Sequence, residues 1–554
     1  MRCRHTEESG YVAILVCVLA VVLFGMAAFT VDVGRWYVLA KQEQRAADAG
    51  ALGGVPHLPG NPTAAFTRAK DLAKANTFTD GQNGVSVATE LDGQPTRLRV
   101  TVTKTIRNVF GGLLGVPETT ISRSATADYA GPVPLGSPCN SYGNDPENDT
   151  MKKSANCADT AQFWGNIGSP SAPKNNGDAF ANDASGANPD YDPNGYIYTV
   201  EVKKPTANLA IDVFDPALID VGDLCDENKQ NHNFIKLQQA SLLQPSTHTN
   251  PKAVVPDPGA RYKPGADSPY CTGDISYTNL DKRFDGQVRT KYTVREHVPT
   301  SNSWDPLSYP VRPNCAGAKT YPGFSGDLSK TLDRTRDEYK VNTPEFGQGY
   351  VAQVFRRWVN ICTVPYAAPG TYLLQITTNG LGADSAQGHN RFAVRAYSTT
   401  DGTVKDDVSV SGYNKMAMYA NLPNATTTFF LARIPSGAQG HILNVRLFDV
   451  GDSTTPGEIR VLAPAESSVP FTNCIGSGPV SGVLPNCEIT AQNSTHNGKW
   501  QVISVPVPAA FTCEDLDPQK CWVRLRYTYG AGNQPSDTTS WQASLEGDPV
   551  RLVR

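Results

Sequence analysis

Between Tyr11 and Val31 the sequence runs for 21 residues without a charged side chain. As a helix, that run matches a bilayer core of roughly 30 Å. Any fold has to accommodate this hydrophobic rod. The helical signal does not stop with the apolar run. Asp32, Arg35, Lys41, Gln42, Glu43, Gln44, Arg45 and Asp48 bring in polarity, while Val38, Leu39, Ala46, Ala47, Ala49, Ala51 and Leu52 keep helix propensity high. No proline occurs before Pro56. The pattern predicts one unbroken helix over residues 10–54, about 65 Å long. Residues 1–10 form a short tail, 11–33 cross the membrane and the rest projects beyond it.

Cysteine placement sets the compartment. Of 12 cysteines, Cys3 and Cys17 lie before or within the apolar run. The others follow it: Cys139, Cys157, Cys225, Cys271, Cys315, Cys362, Cys474, Cys487, Cys513 and Cys521. An even set beyond a membrane span reads as disulfides in an oxidising compartment. Zinc needs paired short spacings such as CxxC or HxxxH, and the sequence has none. Arg2 and Arg4 on one side of the span face Arg35, Lys41 and Arg45 on the other, so basic residues do not decide orientation. The cysteines place the N-terminus in the cytoplasm and the C-terminal region outside. A cleaved signal fits poorly, because the apolar run is too long and no convincing small-x-small site follows it before the helical pattern resumes at Gly34. A net charge of −4 without a Lys/Arg-rich run argues against nucleic acid as a partner.

After a Pro-rich break at 56–62, residues 63–78 read as a second, amphipathic helix. Strands are expected at 85–91, at 97–107, where apolar and polar residues alternate, and at 119–129. The apolar VFGGLLGV lies at 109–116, between the last two.

A family resemblance enters on the motifs of the first helix. These are Ser9-Gly10, the apolar run, Val31-Asp32-Val33-Gly34-Arg35-Trp36-Tyr37, and Gln44-Arg45-Ala46-Ala47-Asp48-Ala49-Gly50-Ala51-Leu52. The segment resembles the TadE/TadG-like proteins of Tad (Flp-type) pilus assembly. The resemblance implies a pilin-like segment to residue 130, with pilin-like or secretion-apparatus subunits as partners. It marks Asp32, Arg35, Gln44 and Asp48 as assembly or membrane-edge residues. Asp32 either faces headgroups and water or sets register with a neighbouring helix. Leu15 stands five residues after Gly10, where processed prepilins commonly carry Glu, which implies an uncut anchor.

From residue 131 the composition turns to Pro, Gly and Asn, followed by many short strand candidates: 196–202, 209–215, 288–297, 350–364, 371–378, 391–398, 429–434, 443–449, 457–463, 499–507, 521–529 and 541–545. The fold class is thus an α+β N-terminal segment followed by all-β structure. Two β-sandwich or jelly-roll-like domains are expected, at 131–345 and 346–554. A repeated pattern supports two. Phe180-Ala181-Asn182, an aromatic strand and Phe214-Asp215 parallel Tyr419-Ala420-Asn421, an aromatic strand and Phe448-Asp449, which read as equivalent hairpins. The closing GDPVRLVR has no apolar tail or sorting signal, leaving the N-terminal helix as the anchor.

Few motifs carry chemistry. Asp190, Asp192, Asn194 and Glu201 fit D-x-[DN]-x-[DN]-G-x5-E and could encircle Ca²⁺ around Gly195. The competing reading is an Asp/Pro/Gly turn entering a strand, which the lack of a preceding helix favours. Asp449-Val450-Gly451-Asp452-Ser453 resembles the DxSxS metal motif of von Willebrand A domains but reads as a turn. GxSxG, HExxH, Walker and GxGxxG signatures are missing, so no enzyme is expected. Tryptophans such as Trp164, Trp304, Trp358 and Trp500 fill sandwich cores more often than they stack on sugars. The function that follows is a membrane-anchored extracellular structural protein of a pilus or surface apparatus, with a role in adhesion. The alternative is a tethered lectin-like module that binds surface glycans, with calcium as its cofactor.

Overall fold

Uninterrupted helix propensity carries α1 from Ser9 to Gly54, 46 residues and about 69 Å. The computed structural model describes residues 9–58, 62–93, 97–129, 133–147, 149, 151–154, 163–182, 188–225, 261–266, 268–277, 288–298, 301, 305–315, 319–332, 337–340, 342–343, 347–378, 386–421, 426–452, 455–514, 517, 519–530, 536–545 and 550–553. Every large apolar side chain from Tyr11 to Val31 is exposed. Among the described residues this is the one helix long and apolar enough to cross a membrane, its most apolar 18 residues having a mean hydropathy of 3.0. From Leu39 the helix gains a buried face. Leu39, Glu43, Ala46, Ala47 and Ala51 recur at helical spacing and are all buried.

That face packs on α2 (Pro62–Ala75) and on a small sheet, together forming one compact unit. α2 contributes Ala65, Ala69 and Ala73, a stripe of small side chains spaced four apart. The two backbones come close enough that a Cβ on Gly54 would stand 2.7 Å from the Ala65 carbonyl oxygen. The sheet consists of β1 (Val85–Leu91), β2 (Arg97–Arg107) and β3 (Glu118–Tyr129), paired antiparallel in that order. Leu98, Val100 and Val102 of β2 alternate into the core, as the sequence predicts. A fourth strand was not anticipated. Val550–Val553 of the closing segment pairs antiparallel with the outer edge of β3, Val550 opposite Tyr129.

Pro132–Gly547 forms the second unit. Its strands build antiparallel sheets of ten and twelve strands. The longer strands fall into two sets. The first is β4 (Trp164–Gly168), β5 (Tyr196–Val202), β6 (Thr206–Phe214), β7 (Arg289–Glu296), β8 (Trp358–Ala367), β9 (Gly370–Thr378) and β10 (Gly388–Ser398). After β11 (Val408–Tyr413) comes the second: β12 (Lys415–Asn421), β13 (Thr426–Arg433), β14 (Ile442–Phe448), β15 (Gly457–Leu462), β16 (Trp500–Pro506), β17 (Trp522–Thr528) and β18 (Ser536–Leu545). The strand of 550–553 is β19.

The twelve-stranded sheet runs β8-β6-β10-β4-β12-β18-β14-β16 before two short strands, and the short strands Ser141–Tyr142 and Ile275–Ser276 pair with β10 off this path. The ten-stranded sheet contains β7-β9-β5-β11, then Pro134–Leu135, then β13-β17-β15. Matching the two sets in chain order, each sheet reads alike from either side of its centre. The second set therefore repeats the first, reversed across the β4–β12 junction, as a pseudo-two-fold would place it. The boundary expected at 345–346 lies between β7 and β8, and β5 pairs with β9 across it.

The expected hairpins differ in two respects. β5 and β6 lie in opposite sheets, as do β13 and β14, so each pair links the layers. Phe180-Ala181-Asn182 lies outside a strand, whereas Tyr419-Ala420-Asn421 ends β12. The Phe-Asp correspondence is close. Asp215 and Asp449 both adopt left-handed backbone, φ 54° and 60°. Their N–H groups donate to the carbonyls of Arg357 and Lys499, each just before the strand that begins with Trp358 or Trp500. Phe214 meets Trp358 and Phe448 meets Trp500 at centroid distances of 5.4 and 5.2 Å.

The strand expected over 350–364 starts late. Tyr350–Val354 is a helical turn after Gly349 and buries Tyr350, Val351 and Val354, and β8 begins at Trp358. Between described residues, four disulfides join Cys225 to Cys271, Cys315 to Cys362, Cys474 to Cys487 and Cys513 to Cys521. Cys139 is also disulfide-bonded, and Cys157 lies outside the described residues. Cys17, within the apolar run, is free.

Candidate assembly site

One residue beyond the uncharged run, Asp32 points into the connection between β2 and β3. Its Oδ1 accepts from the Val109 N–H at 2.8 Å, and its Oδ2 from Phe110 and Gly111 at 2.9 and 2.8 Å. The carboxylate is only 1% exposed. Charge-assisted bonds of this kind are stronger than neutral ones. Arg35, one turn on, reaches the Asp32 carboxylate at 3.8 Å and donates to the Arg107 carbonyl at 3.3 Å. The Trp36 indole N–H donates to Asn108 Oδ1 at 2.8 Å, while the Asn108 amide nitrogen donates to the Val116 carbonyl and the Thr119 hydroxyl. Gly111 is required at its position, where a Cβ would lie 2.8 Å from the Val116 oxygen.

Three turns further along α1 is a second fastening. Gln44 Nε2 donates to Asp48 Oδ1 at 2.8 Å and to the Ser124 carbonyl of β3 at 3.2 Å. Between the two fastenings, Glu43 is fully buried and neither carboxylate oxygen has a hydrogen-bond partner. Burial pushes its carboxyl up to about 7, against the pull of Arg123 and Lys104.

Asp32 and Arg35 meet at the 107–111 connection, while Gln44, bonded to Asp48 within the helix, reaches β3. Residues 10–60 match the Flp pilus-assembly TadE/G-like family. The chain carries a TadE/G-like domain. No curated protein matches the chain, and no solved structure does. From within these TadE/G-like residues, the D-x-G-R-W step and Gln44 of the Q-x-x-x-D step bond α1 to the sheet of residues 85–129. Sequence reasoning missed Trp36 with Asn108 and the buried Glu43. The Gly-rich connection beginning at Asn108 was the available signal, but nothing local connects it to a helix more than seventy residues earlier.

The structure does not bring the four calcium-motif residues together. Asp190 Oδ2 accepts from the Trp500 indole at 3.3 Å. Asp192 accepts from Lys415 at 2.7 Å and from the Asn194 N–H at 2.9 Å, closing a turn at Gly195. Burial raises the Asp192 carboxyl, but Lys415 holds it below the ordinary range. Glu201 sits in β5, paired with Thr371 and Ser409, about 17 Å along the strand from its start.

At the DVGDS segment Asp449 forms a left-handed turn, and the Gly451 N–H donates to Asp537 Oδ2 at 3.0 Å. Burial, reinforced by Asp452, lifts the Asp449 carboxyl to about 9. Among the described residues no group of three or more His, Cys, Asp or Glu side chains is placed to hold a metal. Trp358 and Trp500 pack beneath Arg395 and Arg446, at 4.0 and 4.5 Å, rather than forming an open aromatic platform. Trp304 lies outside the described residues.

Proposed function

We propose that this chain is a membrane-anchored structural component of a Tad/Flp-type pilus apparatus, with its β-rich unit outside the cell. The observation that carries the reading is the Asp32 clamp. It gives the family motif a physical role, making a lipid-exposed helix and a folded head one rigid piece. A component that transmits position from membrane to surface needs such a joint. The four disulfides support an oxidising, extracellular side for the second unit. Partners on this reading are other pilin-like or secretion-apparatus subunits, met through the exposed apolar half of α1. Adhesion through the repeated sandwich is the finer proposal.

The test is genetic and biochemical. In the native host, deleting the gene should remove or reduce surface filaments. The wild-type chain should restore them, and a chain with residues 11–31 replaced by a cleavable signal should not. After detergent extraction the wild-type chain should copurify with small pilin-like subunits. Normal filaments in the deletion strain, with no copurifying subunit, would sink the proposal.

A further inference from the structure

In the connection of residues 108–117 polar backbone groups bond inward while Val109, Phe110 and Val116 face outward, the reverse of an ordinary surface loop. Val109, Phe110 and Val116 are 55%, 36% and 50% exposed. The segment from Val109 to Val116 contains no charged residue. Its backbone is well satisfied internally. Val109, Phe110 and Gly111 donate to Asp32, Asn108 donates to the Pro117 carbonyl, and Gly115 and Val116 donate to Gly112 and Gly111. Internal satisfaction of backbone groups is the condition for lying at membrane depth.

Its position along α1 is fixed by the same bonds. Asp32 follows directly on the 21-residue uncharged run, so the connection is held at the level where the helix leaves the bilayer core. The side chains around it are those of a membrane–water boundary. Trp36 and Tyr37 lie on the helix at this level, Tyr37 being 64% exposed. Arg35 and Arg107 are solvent-accessible basic groups beside the clamp, with long stems able to reach headgroup phosphates.

We infer that the 108–117 connection is a second membrane contact, whose apolar rim of Val109, Phe110 and Val116 seats in the interface of the leaflet from which α1 emerges. The inference rests on the reading that α1 spans the membrane. The occupant of the rim is the lipid surface, because the rim continues a lipid-facing helix at its exit point. The helix alone would be free to tilt and rotate about its axis. A second contact held rigidly to one face of α1 fixes both and sets the height and heading of the head above the membrane.

The experiment uses the full chain reconstituted in vesicles of phosphatidylcholine and phosphatidylglycerol, with and without a nitroxide lipid labelled near the headgroup end of its acyl chain. An environment-sensitive fluorophore is attached at three sites in separate preparations. One is Val116→Cys in a Cys3→Ser, Cys17→Ser background. The second is Leu91→Cys in the same background, about 33 Å away at the opposite end of the sheet, as judged from the length of β2. The third is native Cys17 in a Cys3→Ser background. The expected result is blue-shifted emission and loss of intensity with the nitroxide lipid at Val116 and Cys17, and neither at Leu91. A Val116 probe that behaves like Leu91 while Cys17 is quenched overturns the inference and leaves the span intact. Absence of quenching at Cys17 as well removes the span and the inference together.

Discussion

At the scale of single residues, Asp32 and Glu43 lie on the same helix face with opposite consequences. Asp32 satisfies three backbone donors and Glu43 satisfies none. Asp32→Ala leaves three N–H groups unpaired, that of Gly111 buried, and should cost on the order of 3 kcal/mol, measured by denaturant unfolding of the head. Asp32→Asn keeps one oxygen acceptor and should lose less, and Trp36→Phe, which removes a single bond, about 1 kcal/mol. Equal stabilities for Asp32→Ala and Trp36→Phe would contradict the ranking. Glu43 titrates in the opposite sense to a stabilising carboxylate. Its carboxyl is raised from 4.5 to about 7. Between those values the folded state holds a proton that the unfolded chain has released, so stability falls as pH rises through the window. Glu43→Gln removes that slope. The stability of the variant relative to wild type should therefore grow by on the order of 1–3 kcal/mol from pH 4 to pH 8. Melts with the same pH dependence in both proteins would show that Glu43 does not titrate in this range.

At the scale of elements, local signals were legible and distant ones were not. The alternation of Leu98, Val100 and Val102 marked β2, and the unbroken propensity of residues 10–54 marked α1, because both patterns are written in neighbouring residues. Phe214-Asp215 and Phe448-Asp449 betrayed the internal repeat, since Asp tolerates the left-handed conformation that both turns use. The clamp was not legible, because Asp32 meets Val109 only after the sheet has folded back. β19 was missed for a similar reason. Val550–Val553 is four residues long, and its identity as a strand comes entirely from the edge of β3. Deleting 550–553 should therefore speed hydrogen exchange at residues 126–129 and leave Val100 and Val102 of β2 protected. Unchanged exchange at 126–129 would mean that β19 does not occupy that edge in solution.

At the scale of the whole molecule, disulfides and repeated sheets stabilise the large unit, and on the proposed function α1 is the membrane anchor. Closing a longer loop constrains the unfolded chain more. Removing the Cys225–Cys271 bridge, with a separation of 46, should thus cost about 4 kcal/mol, against about 2.5 kcal/mol for Cys513–Cys521, with a separation of 8. Paired Cys→Ser variants compared by denaturant unfolding check the order, and a larger loss at Cys513–Cys521 would contradict it. Much of the molecular plan was readable in advance: an apolar helix, a small sheet and a long β-rich region with bridged cysteines. The continuity of both sheets across the two repeats was not, because strand order across a sheet depends on pairings that no local pattern encodes. The central claim is that the helix of residues 11–31 holds this β-rich unit outside the membrane. Protease treatment of intact native cells, followed by immunoblotting of membrane and soluble fractions, tests it most directly. The account predicts a wild-type chain in the membrane fraction whose β-rich unit is digested from outside, with both properties lost when residues 11–31 are deleted. A wild-type chain that is soluble in the cytosol, or shielded from protease until the cells are broken, would contradict it.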